Sequence, residues 1–422
     1  MNLKTKLFLI LVMLPLVASA DEYGTLGENA TWRYDGSTKT LTISGTGDMP
    51  SPGPNEFGPW WSFYADVVNV VIEDGLTSIA PDAFSCWFNL TSVAIGDSVK
   101  RIDATAFSGC SSLTSVTIPN SVYGIGTRAF ADCDGLTSIT IPEGVKWIGE
   151  GAFSGCSGLT SITIPSSVTT IFSAPFSDCF NLASISVEAG NTTYDSRDNC
   201  NAIIETATNT LINGCKNTKI PNSVTDIASY AFKGCVGLIS IIIPNSVTTL
   251  GGGAFWSCTG LRSVTLPNSI TVIEKYAFNF CFGLTSISIP NSVTKIGGCA
   301  FSGCTRLSDV YCHAENVPET GGDAFLESNI KNATLHVPAA SVNAYKAAGQ
   351  WYNFKSIVAL ENETKPVKGN LNGDDVVDAN DLLMLLDMIT GKLEVTAAAD
   401  VNGDGKVDVA DVVKLVSIIL GE

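Results

Sequence analysis

Histidine is nearly missing from this 422-residue chain: His313 and His336 are the only two. Enzymes that move protons need convergent titratable groups, and histidine is the commonest shuttle near neutral pH. Both histidines fall near the end of the repeated region, where a structural role is expected. Acidic side chains are also missing where a repeat scaffold should present them. The outward strand positions Ser115 and Thr117, Ser138 and Thr140, Ser161 and Thr163, Ser263 and Thr265 carry hydroxyls only. Neither a Ser-His-Asp constellation nor a pair of glycosidase acids can be assembled from them. No enzyme is expected, and a glycoside hydrolase is a remote alternative. Basic residues are few as well, 24 Lys plus Arg against 41 Asp plus Glu. The net charge of −17 and pI near 4.5 argue against nucleic acid as a partner, because phosphate contacts need clustered cations.

Long apolar runs are confined to the start. Lys4 and Lys6 precede an apolar run from Leu7 to Val17, and Ala18-Ser19-Ala20 follows, the layout of a secretion signal over residues 1–20 with cleavage before Asp21. No Cys follows that site, which argues against a lipid anchor. No later stretch approaches the roughly 20 apolar residues of a membrane span. A secreted, extracellular or cell-surface protein is expected, with no transmembrane segment.

Thirteen cysteines in an exported chain suggest a disulfide framework, but their spacing does not. Cys110, Cys133, Cys156 and Cys179, then Cys235, Cys258, Cys281 and Cys304, recur every 23 residues. Side chains at one phase of a stacked repeat have parallel Cβ vectors, a poor geometry for bridging. A buried ladder of small apolar side chains is expected instead. Cys200 and Cys215 sit out of phase, and either a disulfide between them or two free thiols fits the sequence. No Cys-x-x-Cys pair suggests zinc.

The same 23-residue period governs the rest. Phe107, Phe130, Phe153 and Phe176 mark it, as do Phe232, Phe255, Phe278 and Phe301, with Phe84 and Phe325 extending the series. Within one copy, Leu113, Val116 and Ile118 have the Leu-x-x-Leu-x-Leu spacing that puts three side chains on the inner side of a short strand. Pro119, Pro142, Pro165, Pro244, Pro267 and Pro290 stop each strand at the same point. One unit cannot bury its apolar face alone, so units must stack into a solenoid. The register breaks once, by about 33 residues. That insertion, about 191–223, has two β-prone runs and reads as a protruding hairpin. Residues 21–80 alternate around Asp35-Gly36 and suit an N-terminal β cap. The repeats then span 81–332, and 333–360 should cap the far end, with Trp351 and Phe354 sealing the last rung. Trp60, Trp61, Phe63, Tyr64, Trp87, Phe88, Phe180, Trp256, Phe280 and Phe282 could form sticky patches for protein or glycan.

After a polar linker at 361–368, residues 369–422 change character. From Val367 onward there are eleven Asp plus Glu against four Lys, a cluster that calls for a cation. Two 12-residue patterns recur 30 residues apart. In the second, Asp400, Asn402, Asp404, Asp408 and Asp411 occupy positions 1, 3, 5, 9 and 12, with Gly405 at the turn and the carbonyl of Lys406 at position 7. The first offers Asn370, Asn372, Asp374, Asp378 and Asp381, with the carbonyl of Val376 at position 7 and Asp375 where Gly is preferred. Oxygen ligands at this spacing wind around Ca2+ as in an EF-hand loop, and two ions are expected, the first site the weaker. An apolar helical stretch follows each loop, Leu382 to Ile389 and Val412 to Leu420.

Loop then helix, twice, closely resembles a type I dockerin, which implies a cohesin domain as partner. In that family loop positions 10 and 11 help choose the cohesin; here they are Ala379 and Asn380, then Val409 and Ala410, and the family's frequent Ser-Thr pair is absent. The phrases LTSITIP, AFSGC and IPNSVT make residues 21–360 resemble the BspA-like leucine-rich-repeat proteins of bacterial cell surfaces. That resemblance implies a mostly β solenoid with a small C-terminal α dockerin, and adhesion to a host matrix protein. The expected function is a non-catalytic, adhesin-like binding rod tethered by a calcium-dependent dockerin-cohesin contact. The alternative is an accessory subunit of an extracellular polysaccharide-degrading assembly, for which a glycan ligand would speak.

Overall fold

The computed structural model describes residues 21–51, 59, 60, 62–360, 369–372, 377–393 and 395–420. The leader at 1–20, Trp61, the linker at 361–368, and Asp374 and Val376 of the first loop lie outside them. Glu22–Leu26, Ala30–Asp35 and Thr40–Gly45 form an antiparallel meander, with Trp32 opposite Ile43. Its turn is held by the Asp35 carboxylate, which accepts hydrogen bonds from the amides of Ser37 and Thr38. Parallel stacking begins inside this segment, where Thr40–Gly45 pairs with Asn69–Ile72 and that strand with Ser92–Ile95. The cap is thus the first rung of the rod.

Most coils then contribute two short strands. On one side Ser92–Ile95 pairs with Ser115–Thr117, and, after a coil without a strand there, Ser161–Ile164 pairs with Ser184–Val187; the other side carries two-residue strands such as Arg101–Ile102, Gly124–Ile125 and Trp147–Ile148. Within a coil, Leu113, Ile118, Val122, Ile125, Ala129, Phe130 and Cys133 all turn inward and are buried. Ser115 and Thr117 face out, as alternation requires.

The phenylalanines stack ring on ring. Centroids lie 5.2 Å apart for Phe84 and Phe107, 5.3 Å for Phe107 and Phe130, and 4.9 Å for Phe232 and Phe255, with planes within 13° of parallel. The residues two before and two after each ladder Phe adopt left-handed backbone, as Arg128 (φ 53°) and Asp132 (φ 57°) do around Phe130. This corner folds the chain around the ring.

The cysteine ladder is buried, and it does more than fill space. Cys110 Sγ donates to the carbonyl of Phe84, Cys133 to Phe107 and Cys258 to Phe232, each at 3.1 Å and always one coil back. The Phe107 carbonyl also accepts the amide of Cys110 in its own coil, so both its lone pairs are used. A thiol suits this position because it is apolar in bulk yet donates a proton. Burial pushes the thiols of Cys110, Cys156 and Cys304 up to about 12.

All thirteen cysteines are free. Of the two bonding states that the sequence left open for Cys200 and Cys215, the structure has the thiols. Cys200 sits at the end of the Arg197–Asn199 turn and Cys215 just after the Thr210–Gly214 strand. Each packs into a different half of the core.

The insertion does not protrude. Tyr194–Asp195, Ala202–Glu205 and Thr210–Gly214 form an antiparallel sheet whose last strand pairs in parallel with Asp226–Ile227, continuing the stack. Tyr194, Ile203, Ile204 and Leu211 are buried, and a protruding hairpin would have left them in water. The Phe ladder is interrupted here. Gly214 donates its amide to Ala231 and lies against the Phe232 ring, where a Cβ would strike it.

At the far end Trp351 and Phe354 are buried over the last coil, joined by Tyr345, which the sequence did not single out, and Trp351 donates its indole N–H to the Pro318 carbonyl at 3.1 Å. The short helix α1 (Val342–Lys346) supplies Tyr345. The C-terminal segment forms α2 (Ala379–Ile389) and α3 (Val409–Leu420) around Leu385, Met388, Ala399, Val401 and Leu415. Among the described residues no helix is long and apolar enough to cross a membrane.

Two outcomes follow. Phe255→Ala should lower stability by about 3–5 kcal/mol, read by denaturant titration, because a buried ring with neighbours on both sides leaves a cavity that stiff coils cannot close. Iodoacetamide at pH 8 should alkylate exposed Cys86 in the native protein but leave Cys110, Cys156 and Cys304 unmodified until denaturant is added, since the thiolate is the reactive form; ready modification of the ladder thiols would refute the stacked arrangement.

Candidate calcium-binding module

The two loop and helix units of the C-terminal module are built alike. In the second, Asp400 Oδ1 accepts the amides of Gly403 at 2.7 Å and Asp404 at 3.0 Å, and Oδ2 accepts that of Gly405 at 2.9 Å. Asn402 Oδ1 takes the Asp404 amide at 2.8 Å, and Asp404 Oδ1 takes that of Lys406 at 2.9 Å. The backbone therefore winds about these oxygens, aided by Gly403 (φ 80°) and Gly405 (φ 86°), whose left-handed turns a side chain would resist.

Asp411 closes the loop. Its Oδ1 accepts the Asn402 amide at 3.0 Å and its Oδ2 the Asp408 amide at 2.9 Å. Asp381 does the same in the first unit, with Asn372 at 3.1 Å and Asp378 at 2.9 Å. Leu371 adds a third amide to Asp381 at 2.6 Å. Both carboxylates are fully buried in a module whose core is otherwise apolar. Burying a carboxylate is unfavourable unless it is hydrogen-bonded or paired, and here backbone amides tie the loop to the first turn of the helix.

The acids at position 9 have a second role. Asp378 Oδ1 accepts the Asn380 amide at 2.7 Å and Asp408 Oδ1 that of Ala410 at 2.8 Å, so each is a helix N-cap. This explains why α2 and α3 begin three residues before the apolar stretches at Leu382 and Val412.

Asn370, Asn372, Asp378 and Asp381 of the first loop and Asp400, Asn402, Asp404, Asp408 and Asp411 of the second lie in described positions. No three acidic, His or Cys side chains among the described residues meet closely enough to hold an ion as placed. The donor chemistry nonetheless fits a hard cation: carboxylate and amide oxygens alternate along one glycine-turned loop, with no nitrogen or sulfur ligand among them.

Positions 10 and 11 place Ala379, Val409 and Ala410 on the surface and Asn380 half-buried, its side-chain amide 3.3 Å from Asp378 Oδ2. The sequence reading missed the rest of this surface. Leu383, Leu386, Val413 and Leu420 are all more than 40% exposed, in line with Ala379 on α2 and with Val409 on α3. The signal was present: Leu383 and Val413 stand four residues after Ala379 and Val409 at the same 30-residue offset.

On the rod, Ser288 Oγ lies 3.1 Å from His313 Nε2, whereas Asp309 Oδ1 lies 3.0 Å from Nε2 of His336, which stacks on Tyr311. Serine and acid contact different imidazoles, so no proton relay joins them.

Comparison with known proteins agrees with this architecture. The BspA type Leucine rich repeat region matches residues 77–204 and 203–331, and the Dockerin type I domain matches residues 368–420. No curated protein matches the chain. Among solved structures, a leucine-rich repeat protein from Eubacterium ventriosum is 22% identical with a TM-score of 0.60, over 74% of this chain and 96% of that one. The pneumococcal vaccine antigen PcpA is 19% identical with a TM-score of 0.60, over 81% of this chain and 98% of its own. At these identities the likeness is one of fold. The repeated coils and the paired loop-helix tail together make this chain a member of the BspA-type leucine-rich repeat family that ends in a type I dockerin domain.

Proposed function

We propose that this chain is an exported, non-catalytic binding subunit, held in a surface complex by its C-terminal dockerin and presenting its repeat rod to a ligand. Leucine-rich repeat and dockerin domains are non-catalytic types, typical of extracellular or surface proteins of bacteria, and type I dockerins bind calcium. The observation that carries the reading is the internal symmetry of the tail. Asp381 and Asp411 hold equivalent amides 30 residues apart, and each helix beyond them exposes an apolar stripe. A module with so few fully buried apolar side chains cannot offset the backbone entropy of about fifty residues unaided, at roughly 1–2 kcal/mol per residue. Calcium in both loops would supply the difference, contributing about 2.7 kcal/mol per site at one hundred times its Kd.

The loop ligands in this reading are Asp400, Asn402, Asp404, Asp408, Asp411 and the Lys406 carbonyl, with Asn370, Asn372, Asp374, Asp378, Asp381 and the Val376 carbonyl in the first loop. Ala379, Asn380, Val409 and Ala410, extended by Leu383 and Val413, would meet the cohesin. Apolar contact there, in place of hydroxyl pairs, favours a cohesin with an apolar face. The rod would supply adhesion, to a host matrix protein or to a glycan. A role as accessory subunit of a polysaccharide-degrading assembly is favoured by the aromatic cluster described below.

Calcium titration of the full chain by calorimetry should show binding that falls at least tenfold in Asp400→Ala/Asp404→Ala/Asp411→Ala, with the first loop still responding. Heat that ignores the substitutions would mean that these acids are not ligands. Val409→Asp/Val413→Asp should weaken capture by a cohesin at least tenfold while leaving calcium binding intact, because the charges sit on the exposed stripe; undiminished capture would place the contact elsewhere.

A further inference from the structure

Away from the dockerin, bulky aromatic side chains gather at one place on the turn side of the rod. Every ladder Phe is flanked by two left-handed corner residues. Around Phe107 and Phe153 these are Thr105, Gly109, Gly151 and Gly155, but around Phe232 and Phe278 they include Tyr230 (φ 62°), Tyr276 (φ 61°) and Phe280 (φ 55°). Bulky residues are disfavoured in this conformation because Cβ crowds the backbone. Such strain persists where the surrounding structure imposes it, as the stacked corner does here. Neighbouring coils make room for the rings: a Cβ on Gly253 would lie 2.6 Å from Tyr230, and one on Gly303 would strike Phe280.

Trp256 joins the two tyrosines into a row. It stacks on Tyr276 at 5.2 Å and 21°, and its centroid is 6.1 Å from that of Tyr230. Phe280 and Phe282, 5.8 Å apart, form a separate pair on the other side of the Phe278 corner. Tyr276 is 37% and Phe282 44% exposed, and Tyr230, Trp256 and Phe280 are half-buried. By contrast Trp60, Phe63 and Trp87 belong to the core, and Phe88 and Phe180 are exposed singly.

Three properties narrow the occupant. The strip is small: a covered aromatic side chain buries about 150–250 Å2, so five at these exposures leave on the order of 300 Å2. That is well short of the roughly 800 Å2 per partner in a stable protein interface. It is linear, since Tyr230 and Tyr276 stand two coils apart along the rod, roughly 10 Å at about 4.8 Å per rung. Its charge is compensated: Lys233 Nζ, 5.7 Å from the Trp256 ring, is paired with Asp178 at 2.7 Å, and exposed Glu274 and Lys275 precede Tyr276 with opposite signs. A narrow row of rings without net charge suits an extended, uncharged polymer that offers C–H faces to the rings and hydroxyls to flanking Ser229 and Ser257.

We propose that the row Tyr230, Trp256 and Tyr276, with the Phe280–Phe282 pair beside it, forms a ledge that binds a neutral, unbranched polysaccharide chain. The proposal rests on the reading of the rod as the ligand-binding part of a tethered subunit, and it names the ligand class.

The test uses the full calcium-loaded chain in affinity electrophoresis and calorimetry with soluble β-glucan, xylan and mannan, beside acidic polygalacturonate and collagen. At least one neutral polysaccharide should bind and polygalacturonate should not. Trp256→Ala should weaken that binding at least tenfold. Tyr230→Gly/Tyr276→Gly, which relieves the left-handed corners, should weaken it as much while Tm stays within about 2 °C of the parent, separating lost binding from lost folding. Absence of binding to all three neutral polymers, binding unaltered in these variants, or collagen binding that the same variants abolish would each overturn the proposal. Cohesin capture does not involve these residues, so its persistence would distinguish a failed ledge from failed tethering.

Discussion

The rod depends on one constraint: each coil must bring its corner phenylalanine face to face with that of the next. Rings 4.9–5.6 Å apart set the coil spacing at the corner, and parallel strands set the same spacing on the flat sides. The left-handed residues on either side of each ring bend the chain tightly enough for this to happen. The cysteine thiol then satisfies a carbonyl that the bend turns into the core. Each coil buries its aromatic, its thiol and its strand residues against its neighbours, so stability accrues from coil to coil.

Where the ladder is interrupted, the physics shows what can replace it. Between Phe176 and Phe232 the chain inserts Gly214, and the buried Asn213 side chain accepts the Phe176 amide at 3.4 Å. Bare backbone and a side-chain amide stand in for a ring. Apolar residues of the inserted sheet complete the core on either side, and the half-buried Asp178 corner still reaches across to Lys233. The dockerin follows different rules. It has little core, and its order comes from carboxylates that organise their own backbone, which leaves its helix faces free for a partner.

Much of this was legible because it is periodic. Phe, Cys and Pro at a spacing of 23 residues identify a stacked solenoid without reference to any contact, and the two loops 30 residues apart mark the C-terminal dockerin. The insertion was misread, because the alternation that marks a hairpin is silent on whether its second face meets water or a neighbouring coil. Ile203 and Ile204, adjacent and both buried, were the clue, since a surface hairpin would expose one of them. The outer stripe of the dockerin helices escaped notice because Leu383 and Val413 look like core residues in an amphipathic pattern; exposure is a property of packing.

The sequence by itself determined the repeat length, the inward phase of Phe and Cys, and the 30-residue spacing of the two acidic loops. These are set by local spacing, and a stacked repeat converts local spacing directly into structure. Tertiary structure decided what spacing cannot: that Cys200 and Cys215 stay free in different clusters of the core, that the insertion is a rung, and that Ser288 and Asp309 contact different histidines. It also decided that Tyr230, Trp256 and Tyr276 form one row. Those residues come from three coils, the tyrosines at one phase of the repeat and Trp256 at another, and only the stacking of coils at about ring thickness brings them side by side.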